Sequence, residues 1–252
     1  MKKHFIIFLF ICLANYTFAQ VIKFPKKPEQ MKFLVHYGIL DGGEMELKVD
    51  EGLFKLDDKI CHHVSLTGKT IGSVDWFTTI RNEWHSYIDT SNGLTYQFNR
   101  NIKENNYRKV EKTTFDRESN QAIVTTKMDT SSFKIETYEM NTQTQDMISA
   151  YFAFRFYDFE DVRKKDTLTI NVFLEDKLFS FKMRYLGKEK IKTIFGKKTK
   201  AIVISPILPD NKIFSGKDAI KAYFSDDGLR LPLKVKASLW VGSAEVDLVE
   251  YK

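Results

Sequence analysis

The chain has 252 residues, of which 43% are hydrophobic and 29% are charged, and its formal net charge is +6 at pH 7. This length is sufficient for one substantial hydrophobic core. Basic residues are dispersed among acidic ones, as in Lys188-Glu189-Lys190, which argues against the concentrated basic face of a nucleic-acid-binding protein.

Residues 1–19 have the three parts of a secretory signal peptide: two lysines, an apolar run from Phe5 to Ala14, and a cleavage site ending at Ala19. An apolar run of about ten residues is too short to cross a bilayer, which needs about 20. We therefore expect cleavage after Ala19, export to the periplasm of a Gram-negative envelope, and no membrane span in the mature chain.

Cleavage would remove two lysines and Cys12, which lowers the formal charge to +4 and leaves Cys61 as the only cysteine. An internal disulfide is then impossible, so the exported protein must be held together by its core. We expect an extended leader over residues 20–30 and a single β-rich domain over residues 31–252.

Short apolar segments with the two-residue period of β-strands follow one another along the mature chain. Phe33, Val35 and Tyr37 mark the first strand, which a turn at Asp41-Gly42-Gly43 connects to a returning strand over Glu44–Val49. The later predicted strands are His62–Thr67, Val74–Ile80, Trp84–Ile88, Leu94–Asn99, Tyr107–Phe115, Ala122–Lys127, Asp166–Leu174, Leu178–Leu186 and Ala201–Ser205.

One segment breaks the β pattern. Asp146 can serve as the N-cap of a helix near residues 146–156. The candidate helical face consists of Met147, Ala150, Tyr151 and Phe154. The same aromatic residues would suit a strand buried on both sides, and periodicity alone does not decide between the two. We favour a short helix packed on the sheet.

The C-terminal residues predict a final antiparallel meander. Its strands are Ala219–Ser225, Leu231–Val241 and Ala244–Leu248. A two-residue turn at Gly242-Ser243 would place Leu239 opposite Val246. Lys234 and Lys236 would then lie diagonally across from Asp247 and Glu250, where opposite charges favour pairing. Together these segments predict an all-β, single-domain protein whose long antiparallel sheet curves into a barrel or half-barrel, with one short helix.

The mature chain resembles the DUF3108 family of exported proteins of Gram-negative bacteria. The matching blocks are Phe33-Leu34-Val35-His36-Tyr37-Gly38 with Gly42-Gly43-Glu44, Asp146-Met147-Ile148-Ser149-Ala150-Tyr151, and Tyr223-Phe224-Ser225-Asp226-Asp227-Gly228-Leu229-Arg230-Leu231-Pro232 with the closing hairpin. The resemblance implies an exported β-rich fold and carries no assigned activity.

Few residues have the pattern of a catalytic or metal site. Cys61 and His63 share a strand face and could form a nucleophile pair, but a buried free cysteine beside a surface histidine is the simpler interpretation. A metal could use Cys61, His62 and His63 with distant help from His36 or His85, yet adjacent histidines supply one ligand per strand face. We predict no catalytic residue, no metal and no cofactor.

Aromatic residues are concentrated in consecutive predicted strands. The candidate ligand-binding residues are Trp76, Trp84, Tyr87, Tyr96 and Phe98. On a curved sheet these rings could line a pocket for a lipid or another apolar ligand, or they could simply fill the core.

Three functions follow as hypotheses. The leading one is a non-catalytic periplasmic binding or carrier protein for an apolar ligand, which requires a cavity lined by these rings. The second is a structural envelope protein that docks onto a protein partner through an exposed apolar patch. The third is a hydrolase acting on a cell-wall or glycan substrate, which requires a cleft where histidines or carboxylates converge.

Overall fold

The computed structural model describes residues 24–25, 27–128, 132–193, 195–196, 198–207 and 216–252. The expected signal peptide and the first part of the leader lie outside these residues.

The described part of the chain contains fifteen strands and two helices. The elements before the second helix are β1 Glu29–Tyr37, β2 Leu40–Val49, β3 Phe54–Leu56, β4 Lys59–Thr70, α1 Gly72–Phe77, β5 Arg81–Asp89, β6 Thr95–Glu104, β7 Tyr107–Asp116, β8 Gln121–Met128 and β9 Lys134–Glu139. The elements that follow are α2 Met147–Arg155, β10 Thr167–Leu174, β11 Lys177–Lys192, β12 Lys198–Pro206, β13 Ile220–Ser225, β14 Pro232–Ser238 and β15 Ser243–Tyr251.

All fifteen strands belong to one antiparallel sheet that is not closed. The spatial order is β10-β11-β12-β13-β14-β15-β1-β2-β4-β5-β6-β7-β8-β9, and β3 pairs only with β4. Strands β1 and β15 are therefore neighbours near the middle of the sheet, whereas the consecutive strands β9 and β10 form its two edges. This arrangement confirms the predicted all-β fold with a long antiparallel sheet.

The sheet curls until its two edges approach each other around α2. The rings of Tyr138 on β9 and Phe173 on β10 have centroids 5.5 Å apart, and Gln145 forms a bridge with Val172 on β10. Ile148 and Phe152 of α2 are buried in the core that lines the inner face of the sheet. The concave side is therefore filled by the protein's own helix.

Buried polar groups hold α2 at both ends. At the N-terminus the carboxylate of Asp146 caps the backbone N–H groups of Ile148 and Ser149 and accepts hydrogen bonds from Ser86 and Thr95 on the sheet, which confirms the predicted N-cap. At the C-terminus a second network surrounds a buried arginine. Neither α1 nor α2, the helices of the described residues, is long and apolar enough to span a membrane.

The arginine at the C-terminal end of α2 is Arg155, and its side chain is fully buried. It donates two hydrogen bonds to the Glu29 carboxylate, at 2.5 and 2.9 Å, and a third to the carbonyl of Leu229 at 3.0 Å. Tyr251 donates to the same carboxylate at 3.1 Å. This ion pair ties the end of α2 to the beginning of β1 and to the loop before β14.

The N-terminal hairpin turns earlier than the sequence predicts. Tyr37 pairs with Leu40, so the turn is Gly38 with its neighbour Ile39, and Gly38 has a φ of +58°. The predicted turn residue Gly43 instead lies inside β2, where a Cβ atom would stand 3.1 Å from the carbonyl oxygen of Lys69. A close approach between strands, and not a turn, explains that glycine.

The predicted strand over Val74–Ile80 is wrong, because this segment begins with helix α1. The Asp75 carboxylate accepts hydrogen bonds from Thr70 at 2.5 Å and from Arg81 at 2.8 and 2.9 Å. Contacts with residues on both sides of the segment thus hold one helical turn in place, and the residues that the structure describes contain two short helices where one was predicted.

The closing hairpin also differs in register. Val235 pairs with Val246 and Lys234 with Asp247, so four residues, Leu239 to Gly242, form the loop that was predicted to have two. The displacement is an even number of residues, which keeps each side chain on its predicted face. The paired charges also change, since Lys236 lies opposite Glu245.

The buried ion pair generates the first prediction. Arg155→Met leaves the Glu29 carboxylate buried without its partner, so we expect the free energy of unfolding to fall by about 3–5 kcal/mol. Urea unfolding of a protein spanning residues 20–252 measures this change. Combining Arg155→Met with Glu29→Leu should restore much of the loss, since no unpaired charge then remains.

Arg108 provides the matched control because its side chain is exposed. We expect Arg108→Met to change the free energy of unfolding by less than about 0.5 kcal/mol. Equal losses in the Arg155 and Arg108 variants would refute the structural role of the ion pair.

Candidate functional site

The five aromatic residues proposed from the sequence occupy different parts of the fold. Phe98 is a buried core residue. Trp84 packs against the same core, and its ring lies over Gly68, where a Cβ atom would be 3.4 Å from it. Both side chains contribute to the inner face of the sheet.

The other three aromatic side chains lie in different places. Tyr87 stacks on the ring of His63 at a centroid distance of 4.6 Å, and Tyr96 donates a hydrogen bond to Asp57 at 2.6 Å. Trp76 lies on α1 and is 87% exposed. The structure therefore does not bring the five rings to one pocket.

Exposed apolar side chains gather instead at one end of the sheet, which we call the loop end. Its residues are Tyr37, Ile39 and Leu40 at the β1–β2 turn, Trp76 and Phe77 at α1, and Trp240 and Val241 in the β14–β15 loop. Ile39, Trp76, Phe77, Trp240 and Val241 are each more than 70% exposed. The strand pairing places these three connections at the same end of the sheet. Tyr37 pairs with both Leu40 and Ala244. Thr70, just before α1, pairs with Gly43 near the start of β2.

Direct contacts fix the three connections to one another. The Tyr37 hydroxyl donates to the carbonyl of Val241 at 2.5 Å and lies where a Cβ atom on Gly242 would be only 2.8 Å away. A Cβ atom on Gly42 of β2 would lie 3.2 Å from the Val74 side chain of α1. Large apolar residues beside the turn glycines were the signal available in the sequence, but the predicted strand boundaries placed Trp240 and Val241 inside a strand.

An ion-pair network lies beside two of these connections, the β1–β2 turn and the β14–β15 loop. His36 on β1 donates from Nδ1 to the carbonyl of Gly38 at 2.9 Å and contacts the Asp247 carboxylate through Nε2 at 2.8 Å. Lys234 lies 2.6 Å from Glu245 and 3.1 Å from Asp247. The network therefore joins β14, β15 and β1 beside the β1–β2 turn.

The same network contains a possible metal-binding group. Ligand atoms of His36, Glu245 and Asp247 lie within 4.8 Å of one another. Lys234 and Lys236 already neutralise these carboxylates, and although burial alone would raise it, their hydrogen bonds lower the pKa of Glu245 to about 2. The positive charges of these two lysine side chains disfavour a bound metal cation, so we interpret His36, Glu245 and Asp247 as part of an ion-pair network.

A second polar cluster lies on the outer face of β4 and β5. His63 contacts the Asp50 carboxylate through Nδ1 at 2.7 Å and the Nδ1 atom of His85 through Nε2 at 3.0 Å. Phe54 and Tyr87 pack against the His63 ring. Burial, together with the neighbouring His63, lowers the pKa of His85.

Cys61 is not a plausible nucleophile. It is a free, fully buried thiol, and burial raises its pKa to about 11, so the reactive thiolate is disfavoured. His62 faces the opposite side of the strand from His63 and stacks on Phe24 at 4.5 Å, as strand alternation predicts.

A groove of about 580 Å³ runs across β15, β1, β2, β4 and β5. Four of its six charged residues are in ion pairs: Lys32 with Glu250, Lys69 with Glu44 and Arg81 with Asp75. The other two accept hydrogen bonds, Glu46 from Gln30 at 2.6 Å and Glu83 from Asn101 at 3.5 Å. The carboxylates of Asp226 and Asp227 lie in the loop before β14, where Asp227 accepts hydrogen bonds from the backbone N–H groups of Leu229 and Arg230. Asp227 is therefore a turn residue.

Comparison with known proteins gives a family and a fold. No curated protein matches the chain. The structure is similar to a crystal structure of a β-barrel-like protein of domain of unknown function DUF1849 from Brucella abortus, with a TM-score of 0.57 and 9% sequence identity over 89% of this chain and 97% of that one. The model of the DUF3108 family, proteins of unknown function, matches residues 32–249, and the chain therefore belongs to that family.

Proposed function

We propose that this protein is a non-catalytic, exported binding protein of the cell envelope that docks onto a lipid surface through its loop end. The observation that carries the proposal is the exposure of seven large apolar side chains on three adjacent connections. Large exposed apolar patches mark interaction sites.

The shape and composition of the loop end favour a lipid surface as the partner. Trp240 and Ile39 stand on separate turns, and each is more than 70% exposed. A stable protein interface needs about 800 Å² of complementary surface on each partner. A fluid membrane interface needs no such complementarity, and the amphipathic rings of tryptophan and tyrosine are suited to it.

The charges behind the loop end predict the mode of binding. Lys69, Arg81 and Lys236 each lie within 3 Å of a carboxylate. These paired cations leave little local positive charge to attract anionic lipids. We therefore expect insertion of apolar side chains to dominate and salt to have a small effect.

The two other hypotheses receive less support. A carrier would need space on the concave side of the sheet, which α2 fills with Ile148 and Phe152. A hydrolase would need a nucleophile or carboxylate pair in a cleft. The paired charges along the groove and the buried Cys61 thiol do not provide that arrangement.

Tryptophan fluorescence tests the proposal directly, since Trp76 and Trp240 lie at the loop end and Trp84 lies against the core. Phosphatidylcholine vesicles should shift the emission of the mature protein to shorter wavelength, and Trp84→Phe should retain this shift. Burying an aromatic side chain contributes roughly 1.5–3 kcal/mol. Replacing both Trp76 and Trp240 with serine should therefore weaken co-sedimentation with vesicles at least about tenfold.

The matched control is Phe133→Ser with Ile135→Ser, which removes two exposed apolar side chains at the β9 edge. This variant should bind vesicles as the wild type does. Absence of wild-type binding to both zwitterionic and anionic vesicles would refute lipid docking. Crosslinking from position 240 to a protein in intact cells, without vesicle binding, would instead assign the loop end to a protein partner.

The ion-pair network beside the loop end predicts how pH affects the stability of the protein. The hydrogen bond to Asp247 raises the pKa of His36 above its ordinary value of 6.5, although partial burial acts in the opposite direction. A raised folded-state pKa stabilises the fold below about pH 6.5, and this contribution is lost as the pH rises through the folded-state pKa. His36→Gln should therefore destabilise the protein more at about pH 6 than at about pH 8.5, by about 0.5–1 kcal/mol.

Urea unfolding of wild type and His36→Gln at both pH values measures this difference. His85→Asn is the control because His85 lies outside the network. A loss of stability in His36→Gln that is the same at both pH values would show that protonation of His36 plays no part.

A further inference from the structure

Two histidines on neighbouring strands direct ring nitrogens at each other on the outer face of the sheet. His63 Nε2 and His85 Nδ1 are 3.0 Å apart, and the two rings are within 7° of parallel. His63 is on β4 and His85 on β5, so the rigid pairing of these strands sets their spacing.

Asp50 determines which nitrogen of His63 is available as a ligand. Its carboxylate lies 2.7 Å from His63 Nδ1 and can only accept a hydrogen bond, so Nδ1 carries the proton and Nε2 has the lone pair in the neutral ring. Lys48 contacts the other carboxylate oxygen at 2.8 Å. A carboxylate that orients a histidine in this way is a recurrent feature around metal ligands.

Aromatic neighbours hold the His63 ring in this orientation. Tyr87 stacks on it at 4.6 Å and the edge of Phe54 packs against it at 5.1 Å. The His85 ring is half-buried and lies against His63 at a centroid distance of 5.2 Å. Asp50, Tyr87 and Phe54 therefore preorganise one of the two ligands, His63.

The spacing of the two nitrogens is compatible with one metal ion bound to both. Nitrogen ligands about 2.0–2.1 Å from an ion are about 2.9 Å from each other at 90° and about 3.3 Å apart at tetrahedral angles. The observed 3.0 Å lies between these two values. Among divalent first-row ions, nitrogen ligands bind Cu²⁺ most tightly, which makes Cu²⁺ the metal that this pair favours.

We propose that His63 and His85 chelate one Cu²⁺ ion on the outer face of the sheet, with Asp50 positioning His63 and water completing the coordination. On binding, the His85 proton moves through solvent from Nδ1 to Nε2, so the ring stays neutral, and the His85 ring tilts to direct its Nδ1 lone pair at the metal. This site is independent of the loop end.

Copper titration of the metal-free mature protein tests the site. Isothermal calorimetry with Cu²⁺ alone should give one ion per chain, and electron paramagnetic resonance should show a tetragonal ion with two imidazole nitrogen ligands. His85→Asn should abolish this signal. Asp50→Asn should weaken binding about 10–100-fold, because loss of an orienting carboxylate has an effect of this size.

His36→Gln is the matched control, since it removes a histidine from the other cluster that could hold an ion. Copper binding that survives His36→Gln and is lost in His85→Asn supports the proposal, provided that circular dichroism shows the variant folded. Binding that persists in folded His85→Asn, or that is lost in His36→Gln, would overturn it.

Discussion

The placement of α2 is the constraint on which the rest of the structure depends. Asp146 at one end accepts hydrogen bonds from Ser86 and Thr95, and Arg155 at the other end pairs with Glu29. Each network loses several kcal/mol if a buried group is left without its partner. Directional bonds of this kind specify one position for the helix, which apolar packing alone would not do.

The helix in turn restricts where a binding site can lie. Strands β9 and β10 are consecutive in the chain, yet α2 intervenes and they remain the two edges of the sheet. The curled sheet buries Phe152 and Ile148 where a carrier protein of similar shape would hold its ligand. Both binding sites that we propose consequently lie outside this concave side, one on the outer face and one at the ends of the strands.

The sequence predicted most elements whose determinants are local. Strand alternation and the Asp146 cap are examples, because each depends on residues within a few positions. Helix α1 was missed because its stabilising contacts join Asp75 to Thr70 and Arg81, which belong to flanking strands. The sheet order, the edge strand β9 and the four-residue β14–β15 loop likewise depend on partners distant in sequence.

The candidate site shows the same limit of prediction from local sequence. Trp84 and Tyr87 are close in sequence, but an odd separation on one strand puts them on opposite faces. Grouping aromatic residues by proximity therefore could not identify a pocket. At the loop end, Gly38 and Gly242 allow the turns through their positive φ values, whereas Trp240 remains 72% exposed. Trp240 is one of seven large apolar side chains exposed there, and this group of side chains is the basis of the lipid docking that we propose.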